Sequence, residues 1–278
     1  ALEMYFMGCG LFGNGNNPPM RIIHAFPELG LAYAYSKTKL NPMISGSVVT
    51  QNAKSGQKPK SHMENLLDTT SSTNNSLNFK QFSGGSHIWI ESTGDTGDRL
   101  RGRSADIIFW DECQDIPGQA IGNVSKVLAK SNYGRVGEGV QVFFGTPKQR
   151  GSEFFEMWNK SSQQYFHLKC ESCEKFFPLY TPGTDDWEKT WVREYIVECP
   201  HCQHQQDKIK AAEKGKWVAT KNPDECPFVG FHMSQLFIPD FPKEKIKDVA
   251  HAIHAHSFSA GIKPESAEAK ILQDADRM

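Results

Sequence analysis

The first 160 positions contain two kinds of hydrophobic pattern, one typical of strands and one typical of helices. Short apolar runs and segments with apolar residues at helical spacing follow one another at 21–26, 28–40, 107–110, 118–130, 140–144 and 151–159. The runs at 21–26, 107–110 and 140–144 are predicted to be buried strands, and the continuous run at 107–110 to be covered on both faces. Strands that alternate with helices favour an α/β fold with a mostly parallel sheet and helices on both faces.

Two further segments of this region have clear patterns. Residues 79–82 and 87–90 alternate with a period of two on either side of Gly84 and Gly85, which predicts a hairpin. Residues 45–75 are rich in Ser, Thr, Asn and Lys, so we expect an exposed, mobile stretch there.

The sequence changes character near residue 160. Beyond it, short strands, turns and cysteine pairs dominate to about residue 207, and polar segments with one short apolar run follow. We therefore predict three regions, with the bounds 1–160, 161–207 and 208–278.

Composition narrows the classes of protein. The chain has 278 residues, of which 38% are hydrophobic and 23% are charged, as in ordinary globular proteins. No apolar run approaches the roughly 20 residues needed to span a bilayer, so no membrane partner is expected. The net charge of -1 lacks the basic surplus of many nucleic-acid binders, so any DNA contact must come from local clusters.

An acidic pair follows the most apolar of the predicted strands. Ile107 to Trp110 lead directly into Asp111 and Glu112, and a buried strand cannot hold two carboxylates, so both must lie just past its carboxyl end. In open α/β sheets that edge binds ligands, and the arrangement is typical of the Walker B element of nucleotide hydrolases. In that interpretation Asp111 holds Mg²⁺, and Glu112 orients and deprotonates the attacking water. An acidic surface turn is the alternative.

The tip of the next strand and an arginine cluster are candidates for phosphate contacts. Thr146 lies between Gly145 and Pro147, where a small hydroxyl can sense the γ-phosphate or its water; an ordinary strand-ending turn is the alternative. Three arginines precede the acidic strand, at Arg99, Arg101 and Arg103. They are candidates to bind phosphates of ATP or DNA, or to act as an arginine finger, and a solvated basic turn is the alternative.

A nucleotide hydrolase of this kind needs a glycine-rich phosphate loop, and the sequence contains no G-x-x-x-x-G-K-[ST]. The segment from Gly8 to Gly13 matches G-x-G-x-x-G. It closes a helix predicted at 1–13 and does not follow a strand, so we interpret it as a helix end. We expect that the phosphate loop precedes Ala1 and that the chain is a fragment.

Four of the seven cysteines form two Cys-x-x-Cys pairs that are separated by 25 residues. The pairs consist of Cys170 and Cys173, and of Cys199 and Cys202. Each pair can form a tight turn, called a knuckle here, and two knuckles together form a closed tetrahedral Zn²⁺ site. We predict this site to be structural, because it leaves no open position for chemistry. The pattern favours metal over a disulfide framework, with a degenerate ribbon or a redox pair as the alternatives.

Several of these segments resemble tailed-phage terminase large subunits of the lambda-like group. The resemblance rests on residues 27–44, on Leu100 to Arg103 before the acidic pair, on Gly145 to Pro147, on the two cysteine pairs and on Gly230 to Leu236. These segments occur in the order of the family and cover about residues 20–240.

The resemblance implies an ATP hydrolase that packages double-stranded DNA into a procapsid, with ATP, Mg²⁺ and Zn²⁺ as its ligands. It implies a RecA-like P-loop NTPase core at 1–160 that lacks its phosphate loop, and a zinc ribbon at 161–207. Residues 208–278 then contain the end of the ATPase region and a linker toward a nuclease domain beyond Met278. By itself the fragment is expected to be inactive.

The same resemblance implies roles for individual residues and partners. Asp111 corresponds to the Mg²⁺ position, Glu112 to the catalytic base and Thr146 to a motif that couples hydrolysis to movement. The implied partners are DNA, the small terminase subunit, the portal protein and further copies of the chain in a ring, in the cytoplasm of the host cell. The alternatives are a non-enzymatic zinc-ribbon module that binds DNA or protein, and a helicase of the same ATPase class.

Overall fold

The computed structural model describes residues 16–46, 61–133, 139–146, 148, 151–180, 190–193, 195–234 and 236. The chain divides into two compact units, residues 1–156 and 157–278. The helix predicted at 1–13, including the segment from Gly8 to Gly13, lies outside the described residues.

A five-stranded sheet forms the centre of the first unit. Its strands, in chain order, are β1 (Arg21–Phe26), β2 (Phe79–Gln81), β3 (His87–Ser92), β4 (Ile107–Trp110) and β5 (Val140–Phe143). Their spatial order is β2-β3-β1-β4-β5, and the pairing is parallel except in the β2–β3 hairpin. The structure therefore confirms a mixed α/β fold with a mostly parallel central sheet, and it confirms the predicted hairpin.

Helical segments connect and follow these strands. They are α1 (Leu29–Tyr35), a π-helical turn (Ser36–Leu40), α2 (Asn41–Ser45), α3 (His62–Leu66), α4 (Gly118–Val124), a 3-10 helix (Ser125–Lys130) and α5 (Glu153–Lys160). The helices predicted at 28–40, 118–130 and 151–159 are confirmed.

The exposed stretch predicted at 45–75 is wrong at residues 61–66, which form a capped helix with a buried side chain, whereas residues 69–73 are exposed as predicted. Ser61 caps α3 in a capping box, in which its Oγ accepts the Glu64 N–H and the Glu64 carboxylate accepts the Ser61 N–H. Met63 of the same helix is buried in the core. The cap and this apolar anchor outweigh the polar composition that suggested a loop. Residues 47–60 of the stretch lie outside the described part of the chain.

Two apolar clusters cover the two faces of the sheet. In β4, Ile107 and Phe109 belong to one cluster, and Ile108 and Trp110 belong to the other. All four side chains are at most 2% exposed, as predicted for a strand covered on both faces. Burying a side chain of this kind stabilises a fold by about 1.5–3 kcal/mol, so packing anchors the strand that leads into the acidic pair.

The strand β5 differs from the buried strand that its sequence predicts. It lies at the edge of the sheet, and its side chains are exposed or half-buried, with Val140 37% exposed. A short apolar run does not distinguish a central strand from an edge strand, because strand order depends on the whole fold.

A buried ion pair joins the amino ends of β1 and β4. The carboxylate of Asp106 accepts two hydrogen bonds from the Arg21 guanidinium, at 2.8 and 2.9 Å, and further bonds from the backbone N–H groups of Arg21 and Asn132. Burial alone would raise the pKa of Asp106, but these hydrogen bonds together hold it below its ordinary value. The pair fixes the register of the two strands at the edge opposite the acidic pair.

The second unit contains two small sheets. In one, β6 (Gln164–Lys169) pairs with β7 (Phe176–Pro178), β11 (Lys216–Ala219) and β12 (Phe231–His232). In the other, β9 (Ile196–Glu198) pairs with β8 (Val192–Arg193) and β10 (Gln205–Asp207). A short helix, α6 (Lys208–Glu213), follows β10 and is capped by the Asp207 carboxylate.

The boundaries predicted at residues 160 and 207 stay predictions. The strands β6 and β11 come from opposite sides of residue 207 and share one sheet, so the predicted ribbon is not closed at that point. Among the helices that the structure describes, none has the length and apolar character needed to cross a bilayer.

Candidate active site and metal centre

The acidic pair lies at the carboxyl edge of the sheet, where β4 ends between β1 and β5. The Asp111 N–H donates to the Ala25 carbonyl of β1, and the Cys113 N–H donates to the Phe144 carbonyl just past β5. Hydrogen bonds to the neighbours of β4 on both sides therefore continue past the end of β4, while Asp111 and Glu112 leave the apolar core. The Asp111 side chain is 28% exposed and Glu112 is exposed, so both carboxylates are accessible at the edge where such sheets bind ligands.

Asp111 is held by neighbours that favour its ionised form. Its Oδ2 lies 3.4 Å from Nε2 of His24, and its Oδ1 accepts the Glu112 N–H at 3.0 Å. The hydrogen bond with His24 lowers the pKa of Asp111 more than burial raises it, and the positive charge of Lys39 lowers it further. An ionised, accessible carboxylate at this edge is a suitable ligand for Mg²⁺, which keeps most of its waters and takes one or two carboxylates.

His24 is a site residue that the sequence analysis does not single out. It lies in β1, is 5% exposed, and stacks on Phe26 with ring centroids 4.5 Å apart. The available signal is a polar residue between apolar neighbours on both sides, Ile23 and Ala25. Its partner Asp111 lies past the end of a neighbouring strand, and only the β1–β4 pairing brings the two together.

Glu112 and Thr146 are brought together by Gln114. The Gln114 Nε2 donates to the Glu112 Oε2 at 2.6 Å, and the Gln114 Oε1 accepts the Thr146 backbone N–H at 3.0 Å. Glu112 has a left-handed backbone, with φ 51° and ψ 44°, which is uncommon for a residue with a side chain and turns it out of the strand direction. Gln114 is a second site residue that the sequence does not reveal, because its partners Glu112 and Thr146 follow different strands; a longer bond of 3.5 Å joins its Nε2 to Asp115 Oδ2.

The three arginines have separate surroundings. The Arg99 Nη1 donates to Ser92 Oγ at 3.0 Å, at the carboxyl end of β3 and hence at the same edge of the sheet as the acidic pair. Arg101 forms an ion pair with Asp98 at 2.8 Å. The guanidinium of Arg103 lies 3.4 Å from the Glu91 carboxylate and 3.6 Å from the centre of the Trp89 ring. Burial lowers the pKa of Arg103, whose guanidinium is packed against the sheet. The structure therefore does not bring the three arginines together on one ligand.

The four cysteines of the two pairs converge in the second unit. Their Sγ atoms all lie within 4.8 Å of one another. The Sγ atoms of Cys170 and Cys202 are 3.6 Å apart, and those of Cys173 and Cys199 are 3.7 Å apart. A tetrahedral site with Zn–S bonds of about 2.3 Å requires sulfur atoms about 3.8 Å apart, so the cluster has the size of a zinc site.

The two cysteine pairs share one backbone geometry. In each pair, a backbone N–H donates to the sulfur of the first cysteine. The Cys173 nitrogen lies 3.5 Å from Cys170 Sγ, and the His201 nitrogen lies 3.4 Å from Cys199 Sγ. Each turn closes in a left-handed residue, Glu174 with φ 59° and Gln203 with φ 61°. Backbone dipoles directed at the sulfurs favour thiolates, which are the form that binds metal.

Cys113, next to the acidic pair, is of a different kind. It is 2% exposed and belongs to one of the two core clusters of the sheet. Burial raises the pKa of its thiol to about 12, so it stays protonated and serves as a small apolar side chain.

The fold and the site together define an α/β protein with a mostly parallel sheet, an acidic pair at its carboxyl edge and a separate cluster of four cysteines. A family model described as phage terminase large subunit gpA, ATPase domain, matches residues 11–217, and the chain belongs to that family. The match confirms the resemblance drawn from the sequence. Neither the curated proteins nor the solved structures include a significant match. Terminases of this family are viral packaging motors, and ATP hydrolysis is the general activity of the domain that the family model describes.

Proposed function

We propose that this chain forms the hydrolytic site of an ATP-driven motor that packages double-stranded DNA into a viral procapsid. One observation carries the proposal: Asp111 and Glu112 lie side by side and accessible at the carboxyl edge of a parallel sheet, in a member of a terminase ATPase family. This is the edge at which α/β sheets bind nucleotides.

In this proposal each polar residue at the edge has a distinct role. Asp111, whose ionised form is favoured by His24, would hold Mg²⁺, and the ion would supply positive charge to the phosphate oxygens. Glu112 orients the attacking water and accepts its proton, a task that suits an exposed carboxylate turned out of the strand. Thr146 lies at the tip of β5, from which its hydroxyl can contact the terminal phosphate or the water.

Arg99 is the arginine that the proposal favours for a phosphate contact. Its guanidinium already lies at the carboxyl end of β3 through the bond to Ser92. Arg101 is exposed and bound to Asp98, so it is available to a neighbouring subunit in a ring or to DNA. Arg103 is packed on Trp89, and its more direct contribution is to hold the connection between β3 and β4 in place.

The cysteine cluster supports a structural zinc ion in the second unit. All four positions would be occupied by thiolates, so such an ion has no open site for a water or a substrate. We infer that its role is to hold the two cysteine pairs together.

The partners that we propose for the motor are double-stranded DNA, the small terminase subunit, the portal protein and further copies of the chain. The motor would act in the cytoplasm of the host cell.

The decisive experiment is an ATPase assay on full-length protein carrying Glu112→Gln or Asp111→Asn. Each change keeps the size of the side chain, and each is expected to lower kcat by about 100-fold or more, because it removes the base or the metal ligand. The matched control is Asp95→Asn, which changes an exposed carboxylate that follows β3 at the same edge and is expected to leave kcat unaltered.

The outcomes separate the proposal from its alternative. Wild-type hydrolysis by Glu112→Gln would contradict the assignment of the base. A wild-type protein that binds DNA and zinc but hydrolyses no ATP would instead support a non-enzymatic zinc-ribbon module.

A further inference from the structure

We propose that Gln114 is a positioning residue for hydrolysis, which holds the carboxylate of Glu112 and links its orientation to the tip of β5. This inference rests on the proposed function, because it assigns Gln114 a role through Glu112. The side-chain amide of Gln114 forms a hydrogen bond with the carboxylate of Glu112, just past β4, and another with the backbone N–H of Thr146, just past β5.

The orientation of the Gln114 amide follows from its partners. The Thr146 backbone N–H can only donate, so it must face the Gln114 oxygen, and an ionised Glu112 carboxylate can only accept, so it must face the Gln114 nitrogen. Both bonds are satisfied by the same rotamer, and the bond to the carboxylate is short, at 2.6 Å. A flipped amide would lose both bonds.

The link matters because Glu112 has no other support in the described part of the site. It is exposed and its backbone is left-handed, so the carboxylate would otherwise exchange freely among rotamers. The 3-10 turn that carries Gln114, Cys113 to Asp115, is itself fixed, because the Cys113 N–H is bound to the Phe144 carbonyl and its side chain is buried. Gln114 therefore transmits the position of the β5 tip to the base.

The absence of a side chain at Gly145 leaves room for the Gln114 amide. A Cβ at position 145 would lie 2.3 Å from Gln114 Oε1 and 3.1 Å from the Phe154 ring. The nearest obstacle is the end of a flexible side chain, so an alanine there would displace the amide rather than the backbone. An adjoining cavity of about 280 Å³, lined by Gln114, Asp115 and Glu153 among others, leaves room for the displaced group.

The first test compares three glutamine variants in steady-state ATPase assays on full-length protein. Gln114→Leu removes both bonds, and Gln114→Glu keeps an acceptor for Thr146 but sets a second carboxylate against Glu112. Both are expected to lower kcat by about 10- to 100-fold with KM for ATP changed by less than about threefold, since a misplaced catalytic group costs rate rather than binding. Gln119→Ala, at an exposed position on α4, is the control and is expected to match wild type.

The second test asks whether Gln114 acts through Glu112. In a Glu112→Gln background, measured in single turnovers with excess enzyme, Gln114→Leu is expected to add less than about a twofold loss, because coupled residues are not additive. In the wild-type background, Gly145→Ala is expected to reproduce the loss of Gln114→Leu. In a Gln114→Ala background it is expected to add little to the loss of Gln114→Ala alone, and the thermal unfolding midpoint checks that the fold is retained.

The proposal is overturned if Gln114→Leu hydrolyses ATP within about twofold of wild type, or if its loss multiplies that of Glu112→Gln in full. Either result leaves the proposed function standing as long as Glu112→Gln alone lowers kcat by about 100-fold or more. A Glu112→Gln variant with the wild-type rate would instead contradict the proposed function itself.

Discussion

In the first unit, the candidate catalytic carboxylates lie outside the core, whereas in the second unit two of the four clustered cysteines lie inside it. Asp111 and Glu112 follow a strand that two apolar clusters already hold. Cys170 and Cys199, by contrast, are fully buried members of the apolar cluster of the second unit, together with residues such as Leu168 and Phe177. Chemistry and stability are therefore separable in the first unit and are joined in the second, and three changes test this difference.

The largest effect is expected from removing the zinc ion that we propose for the four cysteines of the second unit. Structural zinc contributes about 10–16 kcal/mol of binding free energy that is linked to folding, so a chelator or Cys173→Ser should unfold residues 157–234. Bound zinc, measured by atomic emission, should fall to background. Hydrogen exchange should show lost protection confined to that segment, with the strand β4 still protected.

The control for this change is Cys226→Ser, which alters a half-buried thiol of the same unit that is outside the cluster. It should retain both zinc and protection. Protection that persists in Cys173→Ser after zinc is lost would show that packing alone holds the second unit, and the contrast between the units would disappear.

A smaller effect is expected in the first unit from Asp106→Asn. The change leaves the Arg21 guanidinium beside a neutral partner at the buried ends of β1 and β4 and should lower the free energy of unfolding by about 3 kcal/mol. The pKa of Asp106 is lower in the folded state than its ordinary value, so its stabilisation is present above about pH 4 and is lost as the pH falls below that. Urea unfolding at pH 7 and pH 3 measures both effects.

Asp106→Asn should thus flatten the acid dependence as well as reduce stability at pH 7. Asp95→Asn, at an exposed carboxylate of the same unit, should do neither. Equal acid sensitivity in the wild type and Asp106→Asn would show that other carboxylates dominate and that the pair contributes little.

The parts of this fold that the sequence predicts are those with local signals. The apolar run before Asp111 predicts a strand covered on both faces, and the spacing of the cysteine pairs predicts their convergence, since each knuckle is built within a few residues. The position of β5 at the sheet edge is not predicted, because it depends on strand order. The helix capped by Ser61 has a local signal in Ser61 and Glu64, but the polar composition around it obscures that signal.

The supporting residues of the site are the least predictable part. His24 contacts Asp111 only because β1 and β4 are neighbours in parallel register, and Gln114 reaches Thr146 only because β5 lies beside β4. A sequence pattern can therefore identify the acidic pair, but the groups that orient it come from strands whose adjacency is a property of the folded chain.

The smallest effect on stability, and the sharpest test of separability, is expected from Glu112→Gly. The left-handed backbone of Glu112 costs about 1–2 kcal/mol that glycine does not incur, while the greater freedom of glycine in the unfolded chain costs about 0.5–1 kcal/mol. The two terms nearly cancel, so urea unfolding should shift by less than about 1 kcal/mol even though ATP hydrolysis is lost. Glu112→Gln keeps the strained backbone and should lose activity without any gain in stability. A loss of stability greater than about 2 kcal/mol in Glu112→Gly would mean that the carboxylate and its Gln114 bond belong to the framework of the fold, since strain relief alone cannot produce that sign.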